Sequence, residues 1–214
     1  MIHPGDRLEN PVTGEVLIFH RTSEQTGGES VLVETIVHPD GFVAAAHVHP
    51  YQTERFELLQ GKLGLRVGNK ELVASPGEVA VVEPGTAHRF WNAGDEQARF
   101  LCEVRPALDF ESLIETMFTL AAEGKTNHKG MPNPLRLAVI ANAHFDTVRL
   151  PFPPAAVQRA GLALGAPLGK LLGYPEKVTR QTSPATETRP HSRPERTYDR
   201  GRPHTTASAR AQTK

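Results

Sequence analysis

The sequence predicts an all-β domain, an antiparallel sandwich or closed barrel, that gives way to helices and then to a disordered tail. Three observations carry this. Up to Pro106 short apolar and β-branched runs alternate with Gly, Pro, Asn and Asp turn signals, and no helical segments separate them. After Pro106 the apolar residues recur at helical spacing instead of every second position. From about Arg180 the chain is rich in Pro, Arg, Thr and Ser and nearly free of aliphatic residues, so it cannot offset the entropy of ordering. The expected division is a β-barrel over 1–106, a helical extension over 107–179 and a disordered basic tail over 180–214.

In order, Gly5 to Pro11 reads as an entry segment and Glu15 to Arg21 as the first strand, parted by the turn of Pro11 to Gly14. Ser30 to His38 is β-branched and apolar, and Pro39, Asp40 and Gly41 turn it into a histidine-bearing strand. Further strands are expected at Glu54 to Gln60, Lys62 to Val67, Lys70 to Ala74, Glu78 to Val82, His88 to Asn92 and Gln97 to Arg105. Asp109 to Glu123 follows as a helix, with Asp109 as N-cap and Gly124 as its stop. Leu135 to Ala143 is a second helix and Pro154 to Gly173 a third apolar segment. That segment approaches membrane length, but Arg159, Pro167 and Lys170 interrupt it, which favours packing on the barrel or across a dimer over a membrane surface.

Charge is balanced at 24 basic and 24 acidic residues among 214, but unevenly: residues 1–179 are net −5 and residues 180–214 net +5. An acidic body argues against nucleic acid as the main partner. The single cysteine, Cys102, precludes an internal disulfide framework and is expected to be a buried strand residue in a reducing, cytoplasmic compartment. The start, MIHPGDRLENP, has no basic region followed by an apolar run, so no secretory signal or membrane anchor is expected there.

The chemistry concentrates in Gly41 to Gly61, GFVAAAHVHPYQTERFELLQG. On a strand His47 and His49, two apart, leave the same face and offer two metal ligands. Glu54 shares the parity of Phe56 and Leu58, and a turn through Pro50 brings its carboxylate back against the imidazoles. His88, in GEVAVVEPGTAHRFWN, is the fourth candidate. Three imidazoles and a carboxylate suit Fe, Mn, Ni, Cu or Zn over Mg or Ca and leave coordination positions free. Phe42, Phe56, Leu58, Leu65, Val67 and Phe90 are candidates for a cavity wall or, equally, for filling the barrel, and Trp91, at opposite parity, is expected to point out of the cavity. His20 and His38 read as rim or surface residues, and Arg55, Glu57, Arg66 and Glu103 serve as acid, base or orienting groups only if they turn inward.

The two segments resemble the two motifs of the cupin superfamily. Gly41, His47, His49, Glu54 and Gly61 fill the first, and Gly77, Gly85, His88 and Asn92 the second, with the short intermotif spacer of small bacterial cupins. One departure is that Glu83 stands where the pattern expects proline, with Pro84 moved beside Gly85. The helical extension is similar to the C-terminal arm of some bacterial single-domain cupins. The resemblance implies a jelly-roll barrel holding a divalent transition metal on His47, His49, Glu54 and His88. Three functions are then open: a metal-dependent enzyme, dioxygenase-like, acting on a small organic molecule; a metal-dependent isomerase, lyase or cyclase; or a non-enzymatic cupin that binds a small ligand. Catalytic acid and base residues are not assigned by the sequence. The apolar surplus of the extension further implies a homodimer built through the barrel and the helices.

Overall fold

A computed structural model describes residues 1–180. Beyond Arg180, the tail expected over 180–214 lies outside the described residues. Nine strands come first: β1 (Arg7–Asn10), β2 (Glu15–Arg21), β3 (Val31–Val37), β4 (Thr53–Gln60), β5 (Leu63–Val67), β6 (Lys70–Ala74), β7 (Val79–Val82), β8 (His88–Asn92) and β9 (Ala98–Arg105). Three helices follow: α1 (Phe110–Ala122), α2 (Pro134–Ala143) and α3 (Ala155–Leu171). The strands form an antiparallel jelly roll from a six-stranded sheet, ordered β1-β2-β3-β9-β4-β7, and a three-stranded sheet, ordered β6-β5-β8.

Alternation decides what enters the barrel. On β4, Glu54, Phe56 and Leu58 are buried while Thr53, Arg55 and Glu57 lie on the outer side. On β9, Ala98, Phe100, Cys102 and Val104 face inward in the same way. Pairing of Glu54 with Val104 and of Phe56 with Cys102 puts the lone inward carboxylate of β4 at one end of an otherwise apolar wall.

The segment after Gly41 departs from the sequence reading. It is no continuous strand but touches its neighbours through isolated bridges, Phe42 to Trp91, His47 to His88 and Val48 to Arg149. The reason is a mismatch of register along β8. Val43 N–H donates to Phe90 O and His47 N–H to His88 O, so four residues advance on one side against two on the other. The surplus of two is taken up within Ala44 to Ala46, which is thrown out as a bulge.

The extension is built on the barrel. Phe110 and Phe118 of α1 join the barrel core, while Leu113, Leu120 and Ile140 make a smaller cluster between α1 and α2. Asp109 precedes α1 but gives no side-chain cap; its carboxylate lies 3.5 Å from Lys177 Nζ instead. Asn133 does cap α2, its Oδ1 accepting from Arg136 N–H at 3.0 Å, with Pro134 as the first helical residue. Helix α3 comes close enough to α2 that a Cβ at Gly169 would stand 2.6 Å from Leu135 O. Among the described residues no helix is long and apolar enough to cross a membrane.

Gly61, in the turn between β4 and β5, has φ of +79°, and a Cβ there would meet Gln97 O at 2.4 Å. The obstacle is main chain and cannot swing aside. Gly61→Ala is therefore expected to destabilise the protein by about 2 kcal/mol or more, read as a lowered urea midpoint with little change in slope.

Candidate metal centre

His47 and His49 leave the irregular segment beside the bulge, Glu54 comes from the start of β4 and His88 from the start of β8. The structure brings all four together, with one ligand-type atom from each within 4.8 Å of the others. His49, Glu54 and His88 are buried, and His47 is partly so. The four candidates are thus legible as a set, although the pair of histidines reaches the site from a bulged segment and not from a regular strand.

Each imidazole is oriented by a main-chain carbonyl. His47 Nδ1 lies 2.9 Å from Ala45 O, an oxygen the bulge itself turns inward; His49 Nδ1 lies 2.6 Å from Thr147 O; and His88 Nδ1 lies 3.0 Å from Thr86 O. A carbonyl only accepts, so each Nδ1 carries the proton and donates, which leaves each neutral ring a lone pair at Nε2. Those lone pairs face one another and a carboxylate: His49 Nε2 is 3.5 Å from Glu54 Oε1 and His88 Nε2 is 2.6 Å from Glu54 Oε2. His88 and Glu54 are close without the alignment of a hydrogen bond, and among the described residues His49 Nε2, His88 Nε2 and Glu54 Oε2 are buried with no hydrogen-bond partner. Burying so many acceptors together costs several kcal/mol unless a cation stands between them. The donor set and its orphaned atoms fit a divalent transition metal.

The titration behaviour agrees. Burial pushes the His47 pKa down to about 3, helped by the neighbouring His88 and His49. For Glu54, burial acts upward, but the three imidazoles outweigh it and bring the carboxyl down to about 2. Burial lowers His88 too, yet the adjoining Glu54 carboxylate leaves it above its ordinary value. The cluster favours a fixed negative charge with positive charge beside it.

His47, His49 and Glu54 of the cluster form part of the wall of a cavity of about 1180 Å³. Phe56 and Phe90 line it as expected, joined by Phe100 and Cys102 from β9. Phe42 instead lines a separate cleft with Trp91, which lies across Gly64 and under the Arg89 guanidinium, outside the main cavity. Leu58 and Leu65 pack in the core, and Val67 packs against it. Arg55 pairs with Glu57, Arg66 with Glu71 and Arg21 with Glu103, all on the outer surface, and His20 bonds Glu34 there at 2.9 Å. Cys102 is buried, as expected, with its thiol 3.9 Å from Glu54 Oε1; burial, reinforced by that carboxylate, holds it protonated.

Two features are absent from the sequence reading. The extension closes the cavity: Phe110, Leu113, Met117, Leu137 and Ile140 are in its wall, Thr147 orients His49, and Val48 exchanges main-chain hydrogen bonds with Arg149. The second is Glu15, at the start of β2, which is 6% exposed and lines the same cavity. Thr13 Oγ1 donates to its Oε2 at 2.7 Å. Burial raises its pKa to about 7, against the smaller lowering effect of the Thr13 bond.

Between pH 4.5 and 7 the folded chain holds a proton on Glu15 that the unfolded chain has released, so stability falls as pH rises through that window. The full penalty is on the order of 3 kcal/mol. Glu15→Gln is expected to remove it: thermal melts should show the variant gaining on the wild type between pH 5 and pH 8, and a constant difference across that range would contradict the assignment.

The family described as Cupin domain matches residues 33–104 of this chain. No curated protein matches it. Among solved structures it is similar to a predicted oxalate decarboxylase from Thermotoga maritima, at 19% identity over 47% of this chain and 90% of that one, with a TM-score of 0.43. It is also similar to a cupin-superfamily sugar phosphate isomerase from Silicibacter pomeroyi, at 24% identity over 49% and 67% of the two chains and a TM-score of 0.40. A third is the polyketide cyclase RemF from Streptomyces resistomycificus, at 22% identity over 49% and 78% and a TM-score of 0.41. Residues 33–104, the part of the chain that the cupin-domain family matches, contain all four converging side chains.

Proposed function

We propose that this chain binds one divalent transition metal through His47, His49, Glu54 and His88 and acts, as a dioxygenase-like enzyme, on a small and mainly apolar organic molecule in the barrel cavity. The observation that carries the reading is the set of buried, partnerless Nε2 and carboxylate atoms at the wall of a large aromatic cavity. When bound, the metal would supply Lewis acidity at open coordination positions and, as Fe, Mn, Ni or Cu, electrons for reaction with dioxygen. The chain's own residues do the rest. Ala45, Thr86 and Thr147 hold the imidazoles in the ligating tautomer, and Phe56, Phe90 and Phe100 surround the bound molecule with apolar surface that excludes water.

Elemental analysis of the purified protein tests the first half. Wild type and His20→Ala are expected to carry about one metal per chain and His49→Ala and His88→Ala less than about a tenth of that, with retention falling as pH drops and the imidazoles protonate. Equal metal in all four proteins would defeat the assignment. Oxygen uptake with phenolic and enolic compounds tests the second half. Metal without oxygen uptake would leave the isomerase, lyase or cyclase chemistry, or ligand binding alone, to be decided by product analysis.

We further propose a homodimer in a reducing, cytoplasmic setting, in which the barrel of 1–106 and the extension of 107–179 both contribute to the interface. Leu164, Leu168 and Leu171 of α3 are 79%, 50% and 84% exposed, and Val73, Val79 and Val81 on the β6 and β7 strands are about half exposed. Apolar surface of that extent is uncommon on monomers. Light scattering coupled to gel filtration is expected to give twice the chain mass at micromolar concentration; a monomer mass would end the dimer reading.

A further inference from the structure

The cavity has a polar feature that the metal chemistry leaves unused. Glu15 is paired through Val37 of β3 with Ala98 of β9, whereas Glu54 is paired with Val104, six residues further along the same strand. That is about 20 Å measured along the strand, so the two inward carboxyls mark opposite ends of one wall. Asn10 is the cross-strand partner of Glu15, and Thr35 on the neighbouring strand shares the cavity wall with the apolar Leu17 and Val33, while the loop of Gly130, whose Thr126 and Asn127 also line the cavity, lies against Thr13. Asn10 has its side-chain oxygen occupied by the N–H groups of Val12 and Thr13. Among the described residues, Thr13 is the hydrogen-bond partner of the Glu15 carboxyl, and no cation contributes to its titration.

A buried carboxyl without a cation normally becomes neutral, and a neutral carboxyl has a donor to place. Thr13 donates to Oε2, so the acid proton belongs on Oε1, which has no acceptor among the described residues and borders the cavity. A core position would be cheaper with leucine there, as at the next inward residue, Leu17. The donor is therefore unspent until something enters the cavity.

We propose that Glu15 recognises the end of the substrate remote from the histidine and carboxylate cluster, donating a hydrogen bond from an uncharged carboxyl to a carbonyl or ether oxygen on an otherwise apolar molecule. This deepens the proposed function and rests on it for the identity of the cavity as the substrate site. It also sets the substrate class: elongated, uncharged at that end, with one acceptor oxygen far from the reacting end. An anionic group is disfavoured there, because it would face a buried carboxyl on which no cation acts. The pKa of about 7 is consistent with this, since the acid form persists up to neutrality and an acceptor bound to it prolongs that range.

The test uses two naphthalenes of matched shape, 2-acetylnaphthalene, which has the acceptor, and 2-ethylnaphthalene, which lacks it. Dissociation constants for both are measured by fluorescence at pH 6 with the full-length wild type, Glu15→Gln and Glu15→Leu, alongside metal content and thermal melts. The preference for the ketone over the hydrocarbon is expected to be at least about tenfold greater in wild type than in Glu15→Leu. Glu15→Gln, whose amide also donates, is expected to keep most of it. All three proteins should carry equal metal and stay folded, because Glu15 touches no metal-ligand candidate and leucine relieves a buried polar group. A preference that is the same in wild type and Glu15→Leu, or lost equally in Glu15→Gln, or no binding of the ketone to wild type, overturns the proposal. Loss of metal from every protein with the Glu15-dependent preference intact would sink the metal reading and leave this one standing.

Discussion

Three imidazoles aimed at one buried carboxylate are a local conflict, and much of the barrel is arranged to sustain it. Each ring has its Nδ1 proton committed to a carbonyl, so none can turn to donate toward its neighbours. A bound cation would satisfy both the ring lone pairs and the Glu54 charge. The cost of keeping such a site empty is high in a low-dielectric interior, and the same dielectric makes the filled site strong. The alternation of β4 and the bulge at Ala44 to Ala46 each put one part of this arrangement in place.

The extension takes part in the same arrangement. Thr147, beyond α2, accepts from His49, and Gln52, which also approaches His49 Nδ1, donates its amide to the Pro106 and Ala107 carbonyls where the barrel ends. Phe110 and Phe118 are part of the barrel core and, with Leu113, part of the cavity wall. The helices thus complete a cavity that the nine strands leave open on one side. Stability of α1 comes mainly from this burial, since Asp109 contributes no cap and a helix of this length is marginal alone.

How much of this was legible in the sequence depends on the range of the interaction. Period-two alternation is local, so the strands and the inward aim of Glu54 follow from neighbours two residues away. The convergence of His47, His49, Glu54 and His88 was legible because residue type and spacing coincide in two short segments. The bulge was not, because it arises from a count of residues against β8, some 45 positions later in the chain. Nor was the contact of His49 with Thr147, which joins residues 98 apart through a main-chain oxygen that no residue type announces. Glu15 lies between these cases. Its parity matches Leu17 and Phe19, which are both buried, so alternation did point inward, but a charged residue at a strand end reads as surface. The sequence left the direction of Arg55, Arg66 and Glu103 open, and the structure turns all three into ion pairs on the outer surface.

The use of main-chain oxygens to orient all three histidines has a consequence for how the site tolerates change. A carbonyl survives replacement of its own side chain, so Ala45, Thr86 and Thr147 are free to vary in identity while the imidazoles stay aimed. The geometry is vulnerable to insertions and deletions instead. Removing one residue from the bulge would carry Ala45 O away from His47, and shortening the path between α2 and Arg149 would withdraw Thr147 O from His49. Drift in this protein is thus buffered at the level of letters and exposed at the level of chain length.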